Sequence, residues 1–230
     1  MSVLGFPTRR DAFARTVRLV SSARLRAPVL ARLVAPDQLA DVAEIEGATS
    51  TRLLSARTGA DGIGRDEFVA GLPHAHFINA AFAYARPAAL NRFNGPGRGA
   101  WYAAFSTETC IAEVSFHMTR ELTAVAEFHA TVEYAEMFAS MAGSFVDLRD
   151  AIPQPDCLDP DPARGYPAGN ALADATRAAG HNGIIWPSVR DRQGTCIVAL
   201  WPSVVQSVAQ GRVLRLVWNG GPAPAVEAAG

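Results

Sequence analysis

Lysine is absent from this 230-residue chain, so all 21 of its basic side chains are arginine. A guanidinium grips two oxygens of one phosphate or carboxylate in a way an ammonium cannot. Cysteine is scarce: Cys110, Cys157 and Cys196 are odd in number, far apart and outside any paired motif. That excludes a disulfide framework and a structural zinc site, and leaves them as small core or surface residues. Long apolar runs are missing too. The longest, Cys196 to Val205, contains Pro202 and falls short of the ~20 residues that span a bilayer. Arginines break up anything like a secretion-signal core near the start. The expectation is a cytoplasmic protein that does not engage a membrane. A dominant charge sign is also lacking, since the net charge is −1 and the pI is near 6.5. Without a global field for polyanions, direct nucleic-acid binding is not expected.

What is present is enough apolar material, 49% of residues, to bury a core of α+β type. Seven arginines (Arg9, Arg10, Arg15, Arg18, Arg24, Arg26, Arg32) fall in the first 35 residues against one acid, Asp11. Interleaved with Val17, Leu19, Val20, Leu25 and Val29, they read as a solvated amphipathic helix; a nucleic-acid arm or a transit peptide is the other reading. Asp37 is an N-cap for a helix or helix pair over 38–57, and the glycines between Gly59 and Pro73 mark a loop. Ala100 to Phe105 reads as a strand with Tyr102 and Ala104 on one face. Ser106 or Thr107 then caps a helix with Ile111, Val114 and Met118 along one stripe and Cys110, Glu113 and His117 along another. Residues 124–134 alternate as a half-buried antiparallel strand. The prolines and aspartates of 150–167 predict a surface loop, and Asn170 caps a short helix ending at Gly180. Strands follow over 183–188, 195–201 and 212–218, then a Gly/Pro/Ala tail expected to be disordered.

Gly95-Pro96-Gly97-Arg98-Gly99 has neither the lysine of a phosphate-binding loop nor the spacing of a dinucleotide fingerprint, and reads as a turn. The five histidines form no His-Glu-x-x-His signature, so no metal site is expected. The informative pattern is Arg92, then Tyr102 on a strand, then Glu113 on the helix that strand feeds, with Ser188 far downstream. Taken singly, each has a plain structural reading. Glu113 could be a solvated helix residue, Arg92 a brace for the loop, Tyr102 core, and Ser188 the close of a strand. His117, one turn beyond Glu113, is demanded by no motif and is left unassigned.

Together, Asn91-Arg92-Phe93-Asn94, Trp101-Tyr102-Ala103-Ala104, Glu108 to Val114, and Gly183-Ile184-Ile185-Trp186-Pro187-Ser188-Val189-Arg190-Asp191 with Gly194-Thr195-Cys196 resemble the RES-domain family, named for Arg, Glu and Ser. The resemblance covers roughly 74–218. It departs at Phe93, where the family usually has Trp, and at Asn91, where it usually has Gly. The family's early arginine has no counterpart in His76-Phe77-Ile78-Asn79.

The resemblance implies an ADP-ribosyltransferase-like split antiparallel sheet with flanking helices. The expected organisation is a helical N-terminal leader over 1–60, the RES domain over 61–218 and a disordered tail over 219–230. It also implies an NAD⁺-degrading enzyme, a phosphorylase or glycohydrolase cleaving the nicotinamide–ribose bond. NAD⁺ is then substrate, inorganic phosphate a possible co-substrate, and no cofactor is called for. The protein would be the toxin of a toxin–antitoxin pair whose partner is a helix-turn-helix (Xre-like) antitoxin. Arg92, Glu113 and Ser188 are the expected catalytic residues; Arg92, Tyr102 and Ser188 the expected substrate contacts. Two other readings stay open: an ADP-ribosyltransferase that modifies a macromolecule, and a non-catalytic binding module using the N-terminal arginines.

Overall fold

The structure is a computed structural model that describes residues 2–22, 62–83 and 90–229. It begins with a hairpin, β1 (Ser2–Val3) and β2 (Phe6–Ser21). The helix expected in the arginine-rich start is therefore corrected to a strand as far as Ser21. Val17, Leu19 and Val20 suit a helical stripe about as well as a strand, and it is the long ladder with a distant strand, from Thr8↔Val146 to Ser21↔Tyr134, that decides. Its arginines are used in packing and pairing. Arg15 lies over the Phe138 ring at 4.2 Å, Arg18 over Trp101 at 4.9 Å, and Arg9 pairs with Asp11 at 3.0 Å. The helix expected at 38–57 lies outside the described residues.

Helix α1 (Ala75–Ala83) precedes β3 (Trp101–Ala104) and α2 (Thr107–Ala124). Ser106 caps α2, its Oγ accepting the Thr109 amide at 3.1 Å. Next come β4 (His129–Asp147) and α3 (Pro162–Ala178). The loop expected over 150–167 thus ends early. Asp161 caps α3 through the Ala163 amide at 3.0 Å, and Pro162 sits in the first turn, where a missing N–H costs nothing. Asn170, expected as the cap, is inside the helix, its amide donating to the carbonyls of Asn91 and Tyr166 at 2.8 Å each. The chain closes with β5 (Gly183–Pro187), β6 (Thr195–Ala199), β7 (Val205–Asn219) and β8 (Ala225–Ala228). The tail expected to be disordered instead adds β8 to the edge of β7, pairing Leu214 with Ala228 and Val217 with Ala225.

The expected α+β architecture with flanking helices is present, built on one mixed sheet in the order β1-β2-β3-β6-β5-β4-β7-β8. β4 and β5 run parallel, and every other pairing is antiparallel. β2 pairs with both β3 and β4, so β2, β4, β5, β6 and β3 form a ring that closes at Val17↔Ala104. Alternate residues feed two cores. Val17, Ala104, Val146, Ile184 and Val198 pack with Leu122 of α2 and Leu172 of α3; Trp101, Met137, Phe145, Ile185 and Ile197 pack with Phe82 of α1. Among the described residues, no helix is long and apolar enough to cross a membrane.

Three strands meet at Gly183, where an added Cβ would lie 2.0 Å from the Val198 carbonyl oxygen and 3.1 Å from the Phe145 ring. Gly183→Ala should cost about 2–3 kcal/mol of stability, read as a lower urea midpoint at unchanged slope. A midpoint equal to the wild type would show that the strands yield there.

Candidate active site

A cavity of about 240 Å³ opens where β3, α2 and α3 converge, and Arg92, Tyr102 and Glu113 line it together. Glu113 reaches it from the second turn of α2, on the same side as Cys110 and His117. Its Oε1 accepts a 2.7 Å hydrogen bond from the Ser188 hydroxyl and a longer contact from the Cys196 thiol at 3.7 Å. Ser188 stands behind the carboxylate. Its own oxygen accepts the amides of Arg190 and Asp191 at 3.1 Å each, which fixes the hydroxyl proton toward Glu113. Asp191 extends the tie by accepting the Thr109 hydroxyl at 2.7 Å. The turn after β5 thereby locks the first turns of α2 in place. Gly194 is required in this turn, because a Cβ would meet Thr109 at 2.5 Å and Asp191 at 2.6 Å.

Arg92 is buried and donates to the carbonyls of Cys157 and Asp159, at 2.5 and 3.1 Å, with its guanidinium 5.3 Å from the Tyr166 ring centre. Its backbone is pressed against α3, where a Cβ on Gly169 would fall 1.9 Å from the Arg92 carbonyl oxygen. Tyr102 holds the same loop from the other side. Its hydroxyl donates to Asn94 Oδ1 and accepts the Phe93 amide, both at 2.9 Å. Enclosure of that hydroxyl pushes its pKa far above the ordinary phenol value, so Tyr102 stays neutral. Phe93, standing where the family usually has Trp, is fully buried with its ring edge on Trp186 at 4.7 Å.

The charge balance of the cavity favours an anion. Arg92 and Arg190, which line it, and Arg120 beside His117 form no ion pair with a carboxylate among the described residues, whereas Arg9, Arg98, Arg149 and Arg215 all do. Burial lowers the Arg190 pKa and pushes up the phenol of Tyr166. Burial also raises the Cys110 thiol to about 12 and Cys196 well above its usual value, so neither is a thiolate near neutral pH. His117 sits at the rim. Desolvation, then the charges of Arg120, Arg190 and Arg92, lower its pKa and keep it neutral at pH 7.

Several lining residues were not assigned from the sequence, and four of them bear on the chemistry of the cavity. Arg18 comes from the stretch taken as a helix, Tyr166 from the stretch taken as a loop, and Cys110 and Arg190 sit beside the assigned Glu113 and Ser188. Of these, Cys110 and Arg190 lay in blocks whose spacing could have exposed them.

The arrangement is that of an α+β domain whose helix-borne carboxylate is serine-locked within a cavity lined by arginines. The chain belongs to the RES-domain family: the family model, described as "RES domain", matches residues 69–219. The match begins after β2, although Arg18 of that strand lines the cavity. No curated protein matches the chain. A similar solved structure is described as the crystal structure of the M. tuberculosis MbcT-MbcA toxin-antitoxin complex, at 17% identity and a TM-score of 0.40, over 55% of this chain and 72% of that one.

Because the His117 pKa is depressed, its positive charge arrives only below the ordinary histidine range. Binding of ADP-ribose, whose diphosphate charge is constant there, should tighten as the pH falls below about 6.5 and lose that increment in His117→Gln. Calorimetry across this range checks it; an identical pH dependence in the variant would remove His117 from the anion field. Gly169→Ala, by pushing Arg92 out of place, should weaken the same binding at every pH, by about tenfold.

Proposed function

We propose that the protein is an NAD⁺-degrading enzyme, a phosphorylase or glycohydrolase that cleaves the nicotinamide–ribose bond. The observation that carries this reading is a carboxylate, Glu113, oriented by Ser188 in a cavity that also holds Arg92 and Arg190, neither of which forms an ion pair among the described residues. Cleavage of an N-glycosidic bond sends the electron pair away with nicotinamide and leaves positive charge on the ribose. A carboxylate fixed beside that centre stabilises the charge as it develops, more strongly than it stabilises the already cationic substrate, whose charge lies on the nicotinamide ring. With Oε1 engaged by Ser188, Oε2 is the oxygen available to the ribose.

Arg92 and Arg190 would hold the diphosphate by charge-assisted hydrogen bonds. Tyr102, edge-on to Trp186 at 6.3 Å, offers a ring surface to the nicotinamide or ribose. A phosphate or water oxygen then forms the new bond at the ribose carbon, and water also releases a proton. NAD⁺ is the substrate and no cofactor enters the step. Ser188 acts on this reading through Glu113, as a positioning residue.

Family membership supports a further expectation, that the enzyme is the toxin of a toxin–antitoxin pair, restrained by a helix-turn-helix (Xre-like) protein.

Purified protein should release nicotinamide from NAD⁺, and Glu113→Gln should lose about 10³-fold or more of that rate. Ser188→Ala should lose less, since the carboxylate remains. Stimulation by inorganic phosphate would separate phosphorylase from hydrolase, and labelled ADP-ribose appearing on a macromolecule would favour a transferase. A folded wild type that releases no nicotinamide would overturn the catalytic reading in favour of a binding module.

A further inference from the structure

The cavity around Glu113 is too small for a whole dinucleotide. At about 240 Å³ it lies below the roughly 300–1,000 Å³ of sites that enclose drug-sized ligands. A second, more open groove of about 660 Å³ lies along the outer side of α2, between Ala112, Phe116 and Thr123 on one wall and Pro222, Ala223 and Pro224 on the other. The two spaces share one residue, Arg190, whose guanidinium lies 3.3 Å from the centre of the Phe116 ring.

Arg120 approaches the same ring at 5.8 Å. Two guanidinium groups without acid partners among the described residues therefore stand at the passage from cavity to groove. Charge at that passage, with mostly apolar walls beyond it, is the order of features met along a dinucleotide: ribose, diphosphate, then adenosine. The groove also holds an unsatisfied group, the Ser115 hydroxyl oxygen, which is buried and has no hydrogen-bond partner. A ligand hydroxyl or ring nitrogen could supply that partner.

The far wall is kept in position by the strand that follows it. β8 pairs with β7, and the Thr119 hydroxyl donates to the Pro222 carbonyl at 2.7 Å. These wall residues follow the end of the family match at 219.

Resting on the NAD⁺ reading above, we infer that this groove is the subsite for the adenosine half of the dinucleotide, with the diphosphate crossing at Arg190 and Arg120. A binding surface built partly from 222–224 makes substrate affinity depend on the last residues of the chain.

The test fills the groove with Ala112→Trp on one wall and, separately, Ala223→Trp on the other, using whichever variant keeps the wild-type melting temperature. The KM for NAD⁺ should rise about tenfold or more, while cleavage of nicotinamide mononucleotide, which lacks the adenosine, stays at the wild-type rate. AMP should bind the Glu113→Gln protein by calorimetry and should lose that binding when a wall variant is added. An unchanged KM for NAD⁺ in an active wall variant would overturn the subsite and leave the enzyme reading intact. No nicotinamide release by the wild type, with AMP binding still sensitive to the wall variants, would leave the subsite standing and remove the proposed reaction.

Discussion

Everything in this fold hangs on β4 being paired along both edges. From Tyr134 to Val146 it carries β2 on one side; on the other it carries β7 as far as Met141 and then β5 from Phe145. Pairing on both edges gives the backbone N–H and C=O groups of a strand their partners along the ladder. Because β4 exchanges β7 for β5 near its end, the sheet curls instead of continuing flat, and β3 is brought back to β2 at Val17↔Ala104. That closure sets β3 beside α2 and α3, and the cavity is the space left between them.

Within that frame, the two charges that matter are held by different means. Glu113 is fixed by a hydroxyl that is itself fixed by two amides. Arg92 is fixed by carbonyl oxygens of the 157–159 turn and by Gly169, which lets α3 approach its backbone. Among the described residues neither group forms an ion pair, so much of the cavity's electrostatic field is left for a ligand. Preorganised charge of this kind is the arrangement that favours charge separation in a reacting molecule.

The parts legible from sequence are those with local causes. The strand–cap–helix unit of Tyr102, Ser106 and Glu113 was readable because alternation, capping and helical spacing each point to one structure within a dozen residues. The arginine-rich start was misread because the choice between strand and helix is made by a partner more than a hundred residues away. Tyr166 was hidden in a proline-rich stretch whose helix depends on one aspartate cap. Arg92 and Ser188 were found by motif resemblance, and only the folded chain shows that Arg92 lines the cavity while Ser188 lies outside its lining and bonds to Glu113. The tail was misjudged on composition, since β8 exists only because β7 offers it an unpaired edge.

The contacts that shape the site run late in the chain. Arg92 and Glu113 are synthesised early, but the carbonyls that aim the arginine arrive with residues 157–159, and the hydroxyl that aims the glutamate arrives with Ser188. A fragment that stops before β5 therefore contains Glu113 without the hydroxyl that orients it, and one that stops before residue 157 also lacks the carbonyls that aim Arg92. The orientation of either charge is thus a property of the closed fold and not of the short stretch that carries it.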